Sequence, residues 1–66
     1  MLNEANQVAV LFAGLPREQA IEAILHHIMA FWDQATRSRL VEYVAADGNG
    51  LHELVVEAVK RMPVDA

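Results

Sequence analysis

Apolar residues recur along this chain every three or four positions, which is the spacing of one face of an α-helix. Gly14 with Pro16, the DGNG stretch at residues 47–50, and Pro63 interrupt the pattern, and glycine and proline commonly end helices. The only candidate strand is the short VAVLF at residues 8–12. The pattern therefore predicts four short helices, at about residues 3–13, 16–32, 34–46 and 52–62.

Each predicted helix carries an apolar stripe. The stripes comprise Leu2, Ala5, Val8, Ala9 and Phe12; Ile21, Ile24, Leu25, Ile28, Phe31 and Trp32; Leu40, Val41 and Val44; and Leu51, Leu54, Val55, Ala58, Val59 and Met62. Sixty-six residues suffice for one domain at most. We therefore expect an all-α fold, a small bundle of three to four short helices, formed by residues 1–66 as a single domain.

The octet HHIMAFWD at residues 26–33 ends the longest stripe and contains the only tryptophan of the chain. Asp33 follows the apolar run and precedes a helix-forming stretch, so its carboxylate can accept the free N–H groups of the third helix. We predict that Asp33 is the N-cap of that helix. We also expect Ile28 and one of Phe31 or Trp32 to face the core.

The chain has more apolar residues than so small a core accommodates. Apolar residues make up 55% of it, and a chain of this length buries only about 60% of its unfolded surface. Val10, Met29 and Val56 lie beside the main stripes. Such a surplus favours a surface that contacts another protein, where tryptophan and methionine are enriched. Alternatively, Trp32 closes the domain's own core, and the two roles are compatible.

Charge and hydropathy argue against nucleic-acid and membrane partners. The net charge is −4, and the five basic residues are dispersed, whereas phosphate binding requires a concentrated basic face. A helix-turn-helix DNA reader would use Arg37 and Arg39, but Glu42 follows them closely. No run approaches the roughly 18 apolar residues of a membrane span, and the first residues do not resemble a signal peptide. We expect a cytoplasmic protein.

Candidate catalytic and metal-binding groups are few. A metal site would draw on Glu22, His26, His27 and His52, but neither an H-E-x-x-H motif nor paired E-x-x-H motifs occur. There is no cysteine, no G-x-S-x-G turn and no lysine-bearing phosphate loop. The sequence therefore predicts no catalytic residue, no metal ligand and no cofactor, and a chain that is not itself an enzyme.

Three segments carry a family resemblance: ANQVAVLFAGLP, HIMAFWDQATR and DGNGLHELVVEAV. In order and spacing, over roughly residues 5 to 59, the chain resembles the small delta subunits of NAD-dependent, molybdenum-containing formate dehydrogenases. The matching positions are Ala5, Asn6 and Gln7; His27, Ile28, Phe31, Trp32, Asp33 and Arg37; and Gly48, Gly50, Leu51, Leu54, Val55, Ala58 and Val59. The chain departs from the family's proline, arginine and methionine at Gln34, Ala35 and Thr36.

The resemblance implies a non-catalytic accessory subunit that binds and stabilises, or helps to assemble, a multi-subunit NAD-dependent formate dehydrogenase. Its partner would be a larger subunit, since the larger subunits of such systems hold the cofactors. The residues expected to contact that partner are His27, Met29, Phe31, Trp32, Asp33 and Arg37. Two alternatives remain: a free-standing helical protein that associates with copies of itself, and, more weakly supported, a small helix-turn-helix regulator.

Overall fold

The computed structural model describes residues 2–62, which form four α-helices and no strand. The helices are α1 Leu2–Phe12, α2 Arg17–Phe31, α3 Gln34–Ala46 and α4 Glu53–Lys60. This small bundle confirms the predicted all-α class, and each boundary lies within two residues of its predicted place. Pro63, which the sequence suggests as the end of the last helix, lies outside the described residues.

The helices α2 and α4 form the centre of the bundle. They pack most extensively against each other, α1 contacts both of them, and α3 contacts mainly α4. The largest fully buried side chains are Ile21, Ile24 and Ile28 of α2, Leu40 of α3 and Val55 of α4. Burying one such side chain stabilises a fold by about 1.5–3 kcal/mol. The predicted isoleucine stripe of α2 is therefore the main source of core stability.

The helix α3 is the least anchored of the four. Leu40 is its only buried residue, and Val44 is partly buried against the core. One buried leucine leaves the orientation of α3 weakly determined by packing alone. Its position therefore depends on the polar contacts at its two ends.

The loop between α3 and α4 is built on two glycines with positive φ, Gly48 at 72° and Gly50 at 83°. Gly48 ends α3 in the left-handed conformation, where its N–H and that of Asp47 donate to the carbonyl oxygen of Tyr43, at 2.9 and 3.1 Å. Gly14 behaves differently, because its φ is not positive. There α1 ends in a tight turn in which the N–H of Leu15 donates to the carbonyl of Phe12 at 3.1 Å.

Asn6 joins the loop between α3 and α4 to the first helix through two hydrogen bonds. Its side-chain amide donates to the carbonyl of Gly50 at 2.9 Å, and its side-chain oxygen accepts the N–H of His52 at 2.8 Å. The His52 ring in turn caps α4, because its Nδ1 accepts the N–H of Leu54 at 3.1 Å. Asn6 thus fixes the residues from which α4 begins.

Ion pairs join α2 to α4 across the surface. Arg61, just after α4, makes two hydrogen bonds of 2.7 Å to the carboxylate of Glu18 and lies 3.5 Å from Glu22. Arg17 pairs with Glu53. The hydrogen bonds from Arg61 lower the pKa of Glu18 below its ordinary value. These exposed pairs add orientation more than stability, because water and salt screen them.

We predict that Asn6→Ala lowers the free energy of unfolding by about 1–3 kcal/mol, because two hydrogen bonds to the loop are lost. Asn6→Asp keeps the acceptor for His52 but loses the donor to Gly50, so it should also destabilise the chain. Urea denaturation followed by far-UV circular dichroism measures both changes.

The matched control is Asn3→Ala, at an exposed asparagine one turn earlier on the same helix. It should change the free energy of unfolding by no more than about 0.5 kcal/mol. An Asn6→Ala variant as stable as the Asn3→Ala variant would mean that the loop is held by other contacts.

Candidate functional site

An apolar surface is exposed where α1 runs alongside the C-terminal half of α2. The surface formed by Leu11, His27, Phe31 and Trp32 is called the α1–α2 face below. Leu11 is 72% exposed and Phe31 is 76% exposed, high values for such large apolar side chains. Exposed apolar side chains that cluster in this way are typical of protein-binding sites.

The ring of His27 lies between two aromatic rings on this surface. Its centroid is 6.1 Å from that of Phe12, at an interplanar angle of 65°, and 4.8 Å from that of Phe31, at 43°. Phe12 packs against the core, whereas Phe31 is exposed. His27 therefore connects the core to the exposed phenylalanine and helps to hold Phe31 in place.

Phe31 and Trp32 are adjacent in sequence but have opposite environments. Phe31 is the last residue of α2, and Trp32 leaves the helix in an extended conformation, with φ −94° and ψ 140°. This change of backbone direction brings Trp32 against the core, where it is partly buried. The expectation that one of the two aromatic residues faces the core is confirmed, and that residue is Trp32.

Two open grooves adjoin each other on this side of the molecule. One is lined by Glu4, Phe31, Trp32, Asp33, Thr36 and Arg39. The other is lined by Glu4, Gln7, Val8, Leu11, His27 and Trp32. Because the grooves share Glu4 and Trp32, they form one strip across α1, the end of α2 and the first turns of α3, with both apolar and polar side chains.

Asp33 and Arg37 fix the junction between α2 and α3. The Asp33 carboxylate accepts the N–H of Thr36 at 2.8 Å, which confirms the predicted N-cap. Hydrogen bonds from Thr36, together with the nearby charges of Arg37 and Arg39, lower the pKa of Asp33. Arg37 Nη1 donates to the carbonyls of Trp32 at 2.8 Å and Met29 at 3.3 Å. Arg37 thereby satisfies carbonyls at the C-terminal end of α2.

The structure brings together only some of the residues expected to contact a partner. His27, Phe31, Trp32 and Asp33 line the strip described above. Met29 is 41% exposed but lies in a separate groove with Leu25, His26 and Ala30. Two positions along a helix differ by about 200° in direction, so Met29 and Phe31 diverge. Arg37 donates to the backbone carbonyls of Met29 and Trp32 and lines neither groove of the strip. That His27, Met29, Phe31, Trp32, Asp33 and Arg37 contact a partner stays a prediction.

The sequence did not indicate that Leu11 and Arg39 line this strip, and it marked Asn6 only as a position that matches the family pattern. Val10, which it noted as surplus, is 70% exposed but lines neither groove of the strip, whereas Leu11 does. The available signal was the spacing of Glu4, Gln7 and Leu11, which places them along one side of α1. The role of Asn6 had no local signal, because its partners are more than 40 positions away.

The four candidate metal ligands have other roles or positions. His52 caps α4, Glu22 lies beside Arg61, His27 packs between phenylalanines, and His26 lines the separate groove that contains Met29. Within residues 2–62 no three histidine or acidic side chains form a group that could hold a metal ion. None of the helices in that range is both long and apolar enough to cross a membrane.

Comparison with protein-family models matches residues 2–59 to the family described as NADH-dependent formate dehydrogenase delta subunit FdsD. The match extends over almost the whole chain and confirms the resemblance found in the three sequence segments. Comparisons with curated proteins and with solved structures found no match.

We predict that Asp33→Ala lowers the urea midpoint of unfolding at neutral pH, because α3 loses its N-cap. The pKa of Asp33 is lower in the folded chain, so the contribution of its charge is complete above the ordinary aspartate range. That contribution disappears as the pH falls through the folded-state pKa. The difference between wild type and Asp33→Ala should therefore shrink in acid.

Asp47→Ala is the matched control, since it removes a carboxylate from the C-terminal end of the same helix. A negative charge there is not stabilised by the helix dipole, so this variant should not lower the midpoint. If the loss caused by Asp33→Ala had the same size at neutral and acidic pH, the charged cap would not be its cause.

Proposed function

The chain belongs to the family of NADH-dependent formate dehydrogenase delta subunits, and we propose that it acts as a non-catalytic accessory subunit. In this proposal the chain binds a larger subunit of a formate dehydrogenase and stabilises the complex or assists its assembly. The proposed location is the cytoplasm, together with that complex. The observation that carries the proposal is the α1–α2 face, where large apolar side chains are exposed beside open grooves.

The α1–α2 face is the surface that we assign to the larger subunit. Phe31 and Leu11 offer side chains that lose contact with water only when another molecule covers them. His27 restrains Phe31 before binding, so less conformational entropy is lost when the partner docks. Trp32 lines both grooves and is only partly buried, so it contributes to the same surface. Aromatic residues in such positions often dominate binding energy.

The position of the face also suits an accessory role. It includes the end of α2 and the start of α3, the least anchored helix of the bundle. A partner bound across this junction would hold α3 against the rest of the chain. Binding and folding stability are then coupled, because a partner that prefers the folded state stabilises it.

We predict that Phe31→Ala and Leu11→Ala each weaken binding to the purified larger subunits by about tenfold or more. Neither should change the free energy of unfolding by more than about 0.5 kcal/mol, because both side chains are largely exposed. Trp32→Ala should reduce both the affinity for the larger subunits and the free energy of unfolding, since Trp32 also packs against the core. Isothermal titration calorimetry and urea denaturation measure the two effects separately.

Val10→Ala is the matched control for Leu11→Ala, because the two residues are neighbours on α1 with nearly equal exposure. It should leave binding unchanged. Equal losses in the two variants would mean that the interface is not confined to the α1–α2 face. A wild-type chain that binds no larger subunit but forms concentration-dependent oligomers would favour the self-associating bundle instead.

A further inference from the structure

Arg39 differs from the other basic residues of the chain in lacking a close polar partner. Arg17, Lys60 and Arg61 form ion pairs with glutamates. Arg37 donates to backbone carbonyls. Between residues 2 and 62, Arg39 makes no hydrogen bond or ion pair, although its charge influences Asp33 at longer range. It is exposed and lines the groove formed by Phe31 and Trp32.

The acidic residues of the same groove are already engaged within the chain. The carboxylate of Asp33 accepts the N–H of Thr36, and Glu4 has an interaction of its own in the structure. The groove therefore combines apolar side chains with one guanidinium group that is available to an outside acceptor. The chain as a whole carries a net charge of −4, so the charge of Arg39 is opposite in sign to that of the chain.

We propose that this groove binds a segment of the larger subunit that presents an apolar side chain and, beside it, an aspartate or glutamate. The apolar side chain packs on Phe31 and Trp32, and the carboxylate pairs with Arg39. The inference rests on the proposed accessory function and adds the chemistry of the partner segment. A guanidinium group can bind a carboxylate through two parallel hydrogen bonds. Such a pair selects an acidic segment and also determines its orientation in the groove.

The groove favours such a segment over a basic one or a nucleic acid. A basic segment would place its charge against Arg39 and would find the carboxylates of Glu4 and Asp33 already engaged within the chain. A nucleic acid would bring many phosphates to a groove that offers a single cation and two carboxylates, whereas one carboxylate needs only Arg39. A purely apolar segment would cover Arg39 without pairing it, which incurs a desolvation cost. An apolar side chain next to a carboxylate satisfies both parts of the groove.

The test is a titration of the purified larger subunits, prepared without this chain, with variants at position 39. Arg39→Ala should raise Kd by about tenfold, and Arg39→Glu by about a hundredfold, because reversal adds repulsion to the loss of attraction. Arg39→Lys should recover part of the affinity. Added salt should weaken binding of the wild type more than binding of Arg39→Ala.

The matched control for Arg39→Glu is Lys60→Glu, which changes the net charge by the same amount. Lys60 lies on α4 and lines neither groove of the strip. It should leave Kd within about twofold of wild type, since exposed distant charges are screened. Far-UV circular dichroism of each variant checks that the helices remain folded.

The possible outcomes separate this inference from the proposed function. If Phe31→Ala weakens binding while Arg39→Ala and Arg39→Glu do not, the accessory role stands and the acidic partner segment is wrong. If the wild type binds no larger subunit, both proposals fail. If the isolated chain forms a dimer that Arg39→Glu disrupts, the groove is occupied by a second copy and the inference is overturned.

Discussion

The burial of the α2 isoleucines is the constraint on which the rest of the structure depends. Ile21, Ile24 and Ile28 are fully buried in a bundle where α2 packs against α4 and α1. Their burial fixes the rotation of α2 about its axis. Once that rotation is fixed, Phe31 projects beside α1 and Met29 projects to another side. A chain of 66 residues cannot cover both surfaces, and the apolar surplus appears as the α1–α2 face.

The groove beside that face results from how α2 ends and α3 begins. Trp32 turns inward, Asp33 caps α3, and Arg37 bonds back to the carbonyl of Trp32. These contacts set the direction of α3 and place Arg39 in the groove. Ala35 stands where the family pattern has an arginine, and Arg39 follows it by four residues, on the same side of the helix. Arg39 is the basic side chain that lines the groove with Phe31 and Trp32.

The sequence predicted the four helices and the Asp33 cap because each depends on residues close together in the chain. The apolar period identified Ile21, Ile24 and Ile28, and the chemistry of an aspartate before a helix identified its cap. The choice between Phe31 and Trp32 could not be predicted, because it depends on the backbone angles where α2 ends. The contacts of Asn6 were equally hidden, since they depend on the packing of α1 beside the loop before α4.

If the larger subunit binds the α1–α2 face, the side chains of that face are covered in the complex. Hydroxyl-radical footprinting of the chain, alone and bound to the larger formate dehydrogenase subunits, measures side-chain exposure residue by residue. We expect Leu11 and Phe31 to become protected on binding while Val10, of similar exposure in the free chain, keeps its reactivity. Unchanged labelling of Leu11 and Phe31 in the bound chain, with protection at Met29 or Val10 instead, would show that the larger subunit binds another surface.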